Sequence, residues 1–175
     1  MELSATGRVI LGVLAVEPRS GYDIKALTDR STRFFWAASY GQIYPELKRL
    51  AERGLVEGTD ESHGGRKRTV YAITPAGRDA LAAWLNDGEM THELRDEGLL
   101  KLFFAATQGG QTAASVLREK REAHAAALAE LRAIEPDAQA SGRFGPAEVL
   151  AYGLAYNEFA VHWCEQILQQ IETED

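Results

Sequence analysis

The side chains best suited to specific recognition fall on one face of a predicted helix. Ile43, Leu47 and Leu50 recur at helical spacing and predict a buried stripe. The opposite face then presents an amide, a phenol, two cations and smaller residues: Gly41, Gln42, Tyr44, Pro45, Lys48, Arg49 and Glu52. Gln pairs bidentately with adenine, Arg or Lys with guanine, and Tyr binds phosphate, so this face has the chemistry of a DNA-reading helix. A solvated helix face without a ligand is the alternative.

A second basic element follows the glycine pair at residues 64 and 65. The run Arg66-Lys67-Arg68 lies at the tip and on the outgoing strand of a predicted hairpin, with strands at 55–60 and 67–73 and a turn at 61–66. Three consecutive cations there would neutralise phosphates and make binding salt-dependent. Two neighbouring carboxylates dilute the charge, so we expect modest affinity per protomer, which two half-sites bound by a dimer would offset.

The histidines and the single cysteine offer no recognisable catalytic or metal site. The four histidines, at positions 63, 92, 124 and 162, show neither HxxxH nor HExxH spacing. Cys164 lies two residues from His162, about 200° around a helix, so the two cannot form a local nucleophile–base pair. One cysteine also excludes an internal disulfide. We therefore predict no catalytic residue, no metal and no cofactor, and keep a small enzyme only as a third functional class.

The placement of charge separates two halves of the chain. Over all 175 residues the net charge is −7, which argues against a nucleic-acid partner. Through Leu85, however, twelve Lys and Arg face ten Asp and Glu, whereas the remainder holds seven against sixteen. The first half is therefore mildly basic and the second strongly acidic, as expected if only the first meets nucleic acid. Two ordinary solvated domains would give the same asymmetry.

Helix boundaries in the first half are marked by capping residues. Ser20 with Asp23 and Ser39 with Gln42 have capping-box spacing, Gly54 ends the third helix, and Thr74-Pro75 opens the fourth, which stops near residue 88. Since Pro45 removes one donor, we expect the third helix to begin nearer Tyr44. The order is helix, helix, helix, hairpin, helix, which is that of a winged helix-turn-helix.

The second half is predicted to be wholly helical. Residues 97–107 are apolar on nearly every side and should be buried all round. A helix at 112–134 carries Leu117, His124, Leu128 and Leu131 on one face, a loop follows at 135–146, and a last helix covers 147–171.

The last helix carries two apolar rows. One comprises Val149, Tyr152, Tyr156, Phe159, Trp163, Ile167 and Ile171, and the other Leu150, Leu154, Val161, Cys164 and Leu168. Burial of one row in the chain's own core and of the other against a second copy is the simplest solution. A central helix buried within one chain is the alternative.

Aromatic side chains on these helices are candidates for an effector pocket. We single out Tyr156, Phe159 and Trp163, with Tyr152 and Asn157 supplying polar groups. Ordinary core packing is the competing interpretation.

Several motifs together resemble one family. Ser20-Gly21-Tyr22-Asp23-Ile24, the run from Gln42 to Leu50, Gly54-Leu55-Val56 and the run from Arg68 to Gly77 are similar to those of PadR-type bacterial transcriptional regulators. Residues 95–104 resemble the longer-tailed branch. The resemblance covers the first 85 or so residues throughout. It implies a cytoplasmic homodimer that dimerises through a C-terminal helical domain, represses promoters at inverted-repeat operators and is often released by a small effector.

The sequence therefore predicts a mainly α (α+β) protein. Residues 1–88 form a winged helix-turn-helix and residues 89–175 a helical dimerisation and effector-sensing domain. Its partners would be double-stranded DNA, a second copy bound through the C-terminal helix, and a small apolar or aromatic effector, with no membrane. Lys48, Arg49, Arg66 and Lys67 would hold phosphates, with Arg68 beside them, and Gln42 and Tyr44 would read bases. A winged-helix module that pairs with another regulator without reading DNA is the alternative function.

Overall fold

A computed structural model describes residues 3–32, 39–63, 66–88, 90, 96–105, 107, 110–140 and 144–174. The chain divides into two compact units, Met1–Thr91 and His92–Asp175. Its elements, in order, are α1 (Ala5–Leu14), β1 (Arg19–Ser20), α2 (Gly21–Arg30), α3 (Tyr40–Glu52), β2 (Val56–His63), β3 (Arg66–Ile73), α4 (Pro75–Leu85), α5 (Glu97–Ala105), α6 (Gly110–Ala140) and α7 (Pro146–Glu174). None of the described helices is long and apolar enough to cross a membrane.

The N-terminal unit closes around an apolar core supplied by its helices and its sheet. The buried side chains are Leu3, Ile10, Leu11, Val13, Leu14, Ile24, Ile43, Leu47, Leu50, Leu55, Val56 and Ile73. Gly54 takes the left-handed conformation at φ 68° and reverses the chain after α3, as predicted. A Cβ on Gly77 would lie 2.1 Å from the Leu55 carbonyl oxygen, so glycine lets the first turn of α4 pack on this reversal.

Local capping signals define the helix starts of this unit. The Ser20–Asp23 capping box of α2 and the Thr74 cap of α4 are confirmed, with Pro75 in the first turn of α4. The expected start of α3 near Tyr44 is wrong, because α3 begins at Tyr40 with Pro45 inside it. The interaction between Ser39 and Gln42 fixes the first turn, and Pro45 removes only one intrahelical hydrogen bond beyond it.

The hairpin is longer than the sequence predicted. Strands β2 and β3 pair antiparallel from Val56↔Ile73 to His63↔Arg66. The predicted turn at 61–66 is therefore wrong for positions 61–63 and 66, which belong to the strands. Positions 64 and 65 lie outside the described residues. Polar cross-strand pairs extend the ladder; the Thr69 hydroxyl, for example, donates to Asp60 at 2.7 Å. The two-residue strand β1, which we did not predict, pairs with β3 and completes a sheet of order β1-β3-β2.

The C-terminal unit is helical, and α6 packs along α7. The predicted loop at 135–146 is wrong for its first part, because α6 continues through Pro136 to Ala140. Good helix formers follow the proline, and Gln139 donates to the Glu135 carboxylate one turn earlier at 3.0 Å, which supports the last turn. Of the four residues predicted to share one face of this helix, Leu117, Leu128 and Leu131 are buried, and His124 is half-buried.

Helix α5 contradicts our expectation of burial on all sides. Phe103 is 79% exposed, and Leu99, Leu100 and Phe104 are also exposed, because within its unit α5 packs mainly against α6. Helix α7 divides as its two rows suggested only in its first half, because farther along the helix Trp163 and Ile167 of one row are half-buried like Leu168 of the other. Leu150 and Cys164 are buried, whereas Val149, Tyr152, Tyr156 and Phe159 are exposed on the single chain.

Candidate nucleic-acid interface

Helix α3 separates an apolar face from a polar one. Ile43, Leu47 and Leu50 are fully buried, as predicted, and anchor the helix to the core of the N-terminal unit. The polar face exposes the four side chains proposed from the sequence, which are Gln42, Tyr44, Lys48 and Arg49. The buried stripe therefore fixes the rotation of the helix and directs these four groups to solvent.

Gln42 forms part of the helix cap. The Ser39 backbone N–H donates to Gln42 Oε1 at 3.0 Å, and the Ser39 hydroxyl donates to the same oxygen at 3.2 Å. Both lone pairs of the amide oxygen are therefore occupied, while the side chain stays exposed at the N-terminal end of α3. That end is the part of a recognition helix that reaches base edges.

Tyr44 lies against the start of α2. A Cβ built on Gly21 would come within 2.7 Å of Tyr44 Cε1, so the absence of a side chain at Gly21 makes room for the ring. Tyr44 remains 50% exposed. The contact with α2 thus holds the phenol in place without removing it from the surface.

Arg49 is held by a buried carboxylate that the sequence patterns did not reveal. Glu46 is only 4% exposed, and its two oxygens accept from Ser4 Oγ at 2.6 Å and from Arg49 Nη1 at 2.7 Å. Ser4 caps α1, so its hydrogen bond to Glu46 joins α3 to the N-terminus of α1, where the helix dipole favours a negative charge. A Cβ on Gly7 would come within 2.8 Å of this carboxylate. The signal in the sequence was a glutamate placed between the buried positions 43, 47 and 50.

Lys48 is the most exposed cation of this face. Its side chain is 80% exposed, and its ammonium lies 3.8 Å from Glu52 one turn later. An exposed pair at this distance adds little stability, so Lys48 can exchange Glu52 for another anion at small cost.

In the hairpin, Arg68 interacts with two carboxylates. Its guanidinium lies 3.3 Å from Glu61 on the neighbouring strand and 3.8 Å from Asp23 in the first turn of α2. The Ser20 hydroxyl lowers the pKa of Asp23 below its usual value of 3.8, burial opposes this, and Arg68 and Arg19 lower it further. Arg68 is thus partly neutralised and ties the hairpin to α2. The backbones of Arg66 and Lys67 lie in β3 near the tip, whereas their side chains lie outside the described residues.

The three effector candidates do not form one buried cluster. Tyr156 stacks on Tyr152, with ring centroids 6.3 Å apart, and meets the edge of His124 at 5.6 Å. Phe159 is exposed, and Trp163 is half-buried. Beneath them, the buried Asn157 shares a 2.8 Å hydrogen bond with His124 and donates to the Gly153 carbonyl at 2.7 Å.

Two further observations concern metal binding and thiol chemistry in the described part of the chain. Among these residues, no set of three His, Cys, Asp or Glu side chains is placed to hold a metal ion. Burial raises the pKa of the Cys164 thiol, which keeps it in its unreactive protonated form.

The sequence matches two family profiles that together cover most of the chain. Residues 10–83 match the transcriptional regulator PadR-like family, and residues 94–172 match the family described as virulence activator alpha C-term. The chain is 31% identical over 173 residues to the negative transcriptional regulator PadR of Bacillus subtilis, covering 93% of this chain and 95% of that protein.

Solved structures show the same fold. The structure of B. subtilis PadR in complex with operator DNA matches with a TM-score of 0.87 at 29% identity, covering 98% of this chain and 99% of that one. The same protein in complex with p-coumaric acid matches with a TM-score of 0.77 at 27% identity, covering 97% and 99%.

Proposed function

The chain belongs to the PadR-like family of transcriptional regulators, and on this basis we propose that it is a sequence-specific DNA-binding repressor. The observation that supports this most directly is α3, whose apolar stripe is fully buried while its polar face is exposed beside a hairpin with a basic outgoing strand. This is the arrangement of a winged helix, with α3 as the recognition helix. A repressor acts on promoter DNA, which places it in the cytoplasm, and its mechanism requires no enzymatic reaction.

The polar side chains of α3 and of the hairpin fall into three groups, which would contact phosphates, contact bases or orient the hairpin. We assign Lys48, Arg49, Arg66 and Lys67 to phosphates, because cations position a protein on DNA without reading its sequence. Gln42 and Tyr44 lie toward the N-terminal end of α3, where contact with bases is expected. Arg68, paired with Asp23 and Glu61, mainly orients the hairpin.

The C-terminal unit, including α7, supplies the dimer contact. Large apolar side chains are exposed on α5 and on one row of α7. Clusters of such side chains mark protein–protein contacts. Pairing of two copies through these helices would bury this surface and present two recognition helices to an inverted-repeat operator.

A small aromatic effector is part of the proposal. B. subtilis PadR binds p-coumaric acid in its solved complex. In this chain Tyr156, Phe159 and Trp163 share one row of α7, and the polar groups of His124, Tyr152 and Asn157 lie close to Tyr156. Addition of p-coumaric acid as a probe should weaken DNA binding, and Phe159→Ala should reduce that response.

The decisive experiment measures DNA binding against salt. Fluorescence anisotropy with the DNA upstream of the protein's own gene should show specific binding that weakens as salt rises. Arg66→Glu with Lys67→Glu should weaken it further and reduce the salt slope by about two, roughly 0.9 for each phosphate that is no longer neutralised. Arg78→Glu with Arg118→Glu, at exposed positions on α4 and α6, changes the net charge equally and is the matched control.

The same experiment separates the alternatives. If the protein binds no DNA at low salt, the winged helix serves only to pair with another regulator. If it binds but the hairpin variant keeps the wild-type salt slope, the hairpin does not contact phosphates.

A further inference from the structure

The capping contact of Gln42 limits which bases this side chain can read. An adenine read bidentately needs the amide oxygen to accept from N6 and the amide nitrogen to donate to N7. In α3 the oxygen already accepts from the Ser39 N–H and from the Ser39 hydroxyl. To read adenine in that way, Gln42 would have to give up its cap and expose the Ser39 donors.

The orientation of the amide follows from the chemistry of its partner. A backbone N–H can only donate, so the atom of Gln42 that lies 3.0 Å from the Ser39 nitrogen is the oxygen. The amide nitrogen therefore points away from the cap and makes no hydrogen bond with any described residue. Its two N–H groups are the part of this exposed side chain that DNA would meet.

We propose that Gln42 is a specificity-determining residue that reads a hydrogen-bond acceptor, guanine or thymine, and not adenine. Guanine presents O6 and N7, and thymine presents O4, which are acceptors for an amide N–H₂ in the major groove. Cytosine presents only its N4 donor. Adenine presents the N7 acceptor beside its N6 donor, so one amide N–H could donate to N7 while the other would face the N6 hydrogens, which makes adenine a poorer partner than guanine or thymine. The inference rests on the proposed DNA-binding function and adds the class of base that one position of the operator should contain.

Two substitutions at Gln42 test whether its outward N–H₂ group reads the base. In Gln42→Glu, one carboxylate oxygen can still accept from Ser39, whereas the outward atom becomes an acceptor in place of a donor. In Gln42→Ala the outward group is absent. Glu122→Gln is the matched control, because it exchanges the same two groups at an exposed position on α6, outside the recognition helix.

The test is a selection from randomised duplex DNA, followed by anisotropy on the selected site with each base placed in turn at each position. For the wild type we expect one position in each half-site to favour guanine or thymine over adenine and cytosine by roughly tenfold. Gln42→Glu should reverse this preference toward cytosine or adenine, Gln42→Ala should abolish it, and Glu122→Gln should leave it unchanged.

Three results would overturn the inference. A preference for adenine that disappears in Gln42→Ala would mean that the amide leaves its cap to read DNA. Unchanged base preferences in Gln42→Ala would mean that Gln42 reads no base. If the wild type selects no sequence at all, the proposed function fails, and this inference fails with it.

Discussion

The two units of this protein differ in how many large apolar side chains their helices leave exposed. In the N-terminal unit the stripes of α1 and α3 pack against each other and against the sheet, and residues such as Ile10, Leu11 and Leu47 are completely buried. In the C-terminal unit, helices of comparable apolar content leave large side chains in water. These are Leu99, Leu100, Phe103, Phe104, Val149, Tyr152, Tyr156 and Phe159, and Phe144, which precedes α7, is exposed as well.

The contrast indicates that the two units have different partners. The N-terminal unit has a closed core and a surface of cations, an amide and a phenol, which suits a polyanion. The C-terminal unit has an open apolar surface, which suits another protein surface of the same kind. In the proposed dimer, the N-terminal unit would be complete as a fold within one chain, whereas the C-terminal unit would gain stability from pairing with the second copy.

The strongest test of this contrast places charge on the exposed row of α7. Tyr152→Glu with Phe159→Glu should convert the dimer to a monomer, because four carboxylates would lie in the paired surface. Without the second half-site, operator binding should weaken by about 100-fold or more. Analytical ultracentrifugation and anisotropy measure the two effects. Leu85→Glu, at an exposed leucine in the N-terminal unit, is the control and should remain dimeric.

A second test compares one residue from each unit by its contribution to the free energy of unfolding. Leu47→Ala should lower it by about 3 kcal/mol through reduced burial and a cavity. Phe103→Ala should lower it by less than about 0.5 kcal/mol in the monomeric background, because its ring is already in water. Urea unfolding at equilibrium gives both values. Equal losses would show that α5 is buried within its own chain, contrary to the structure.

A third test concerns the buried polar contact of each unit. Glu46→Gln keeps an acceptor for Ser4 but loses the charge that holds Arg49, so we expect DNA affinity to fall roughly tenfold, in line with about 1.5 kcal/mol for a hydrogen bond to a charged group. In an Arg49→Ala background the same change should have little further effect. Asn157→Ala, which removes the partner of His124, should leave DNA affinity unchanged. Tighter binding by Glu46→Gln would mean that Glu46 only neutralises Arg49.

The smallest expected effect is a loss of folding stability at acidic pH, to which one carboxylate in each unit contributes. Asp23 hydrogen bonds within the α2 cap. Asp96 accepts from the Leu99 N–H at 2.9 Å at the start of α5 and pairs with Lys120. Partial burial raises the pKa of Asp96, but the hydrogen bonds from Lys120 and Leu99 outweigh it, so the pKa of each carboxyl lies below 3.8.

Because these pKa values are lowered by folding, the stabilisation is complete above the unfolded value and is lost as the pH falls through the folded value. Asp23→Ala and Asp96→Ala should each cost about 1 kcal/mol near neutral pH, as for the removal of a helix cap, and this difference should shrink below about pH 4. Thermal unfolding from pH 7 to pH 2 measures it. A difference that stays constant down to pH 2 would show that the carboxylate charge contributes nothing.

The sequence by itself determined the local features of this protein. The capping residues Ser20, Ser39 and Thr74, the left-handed Gly54 and the apolar stripe of α3 are set by contacts within a few residues, and their positions follow from residue type and spacing. Together they were sufficient to predict the order of the winged helix and the face of α3 that meets solvent.

Only the tertiary structure decided which distant groups meet. Ser4 and Glu46 are 42 residues apart, and Arg68 reaches Asp23 from another element, so neither pairing follows from local spacing. The pairing of β1 with β3 and the exposure of α5 also depend on how whole elements pack. An apolar helix indicates that it must be covered, but whether its own chain or another covers it depends on the space that the remaining elements leave.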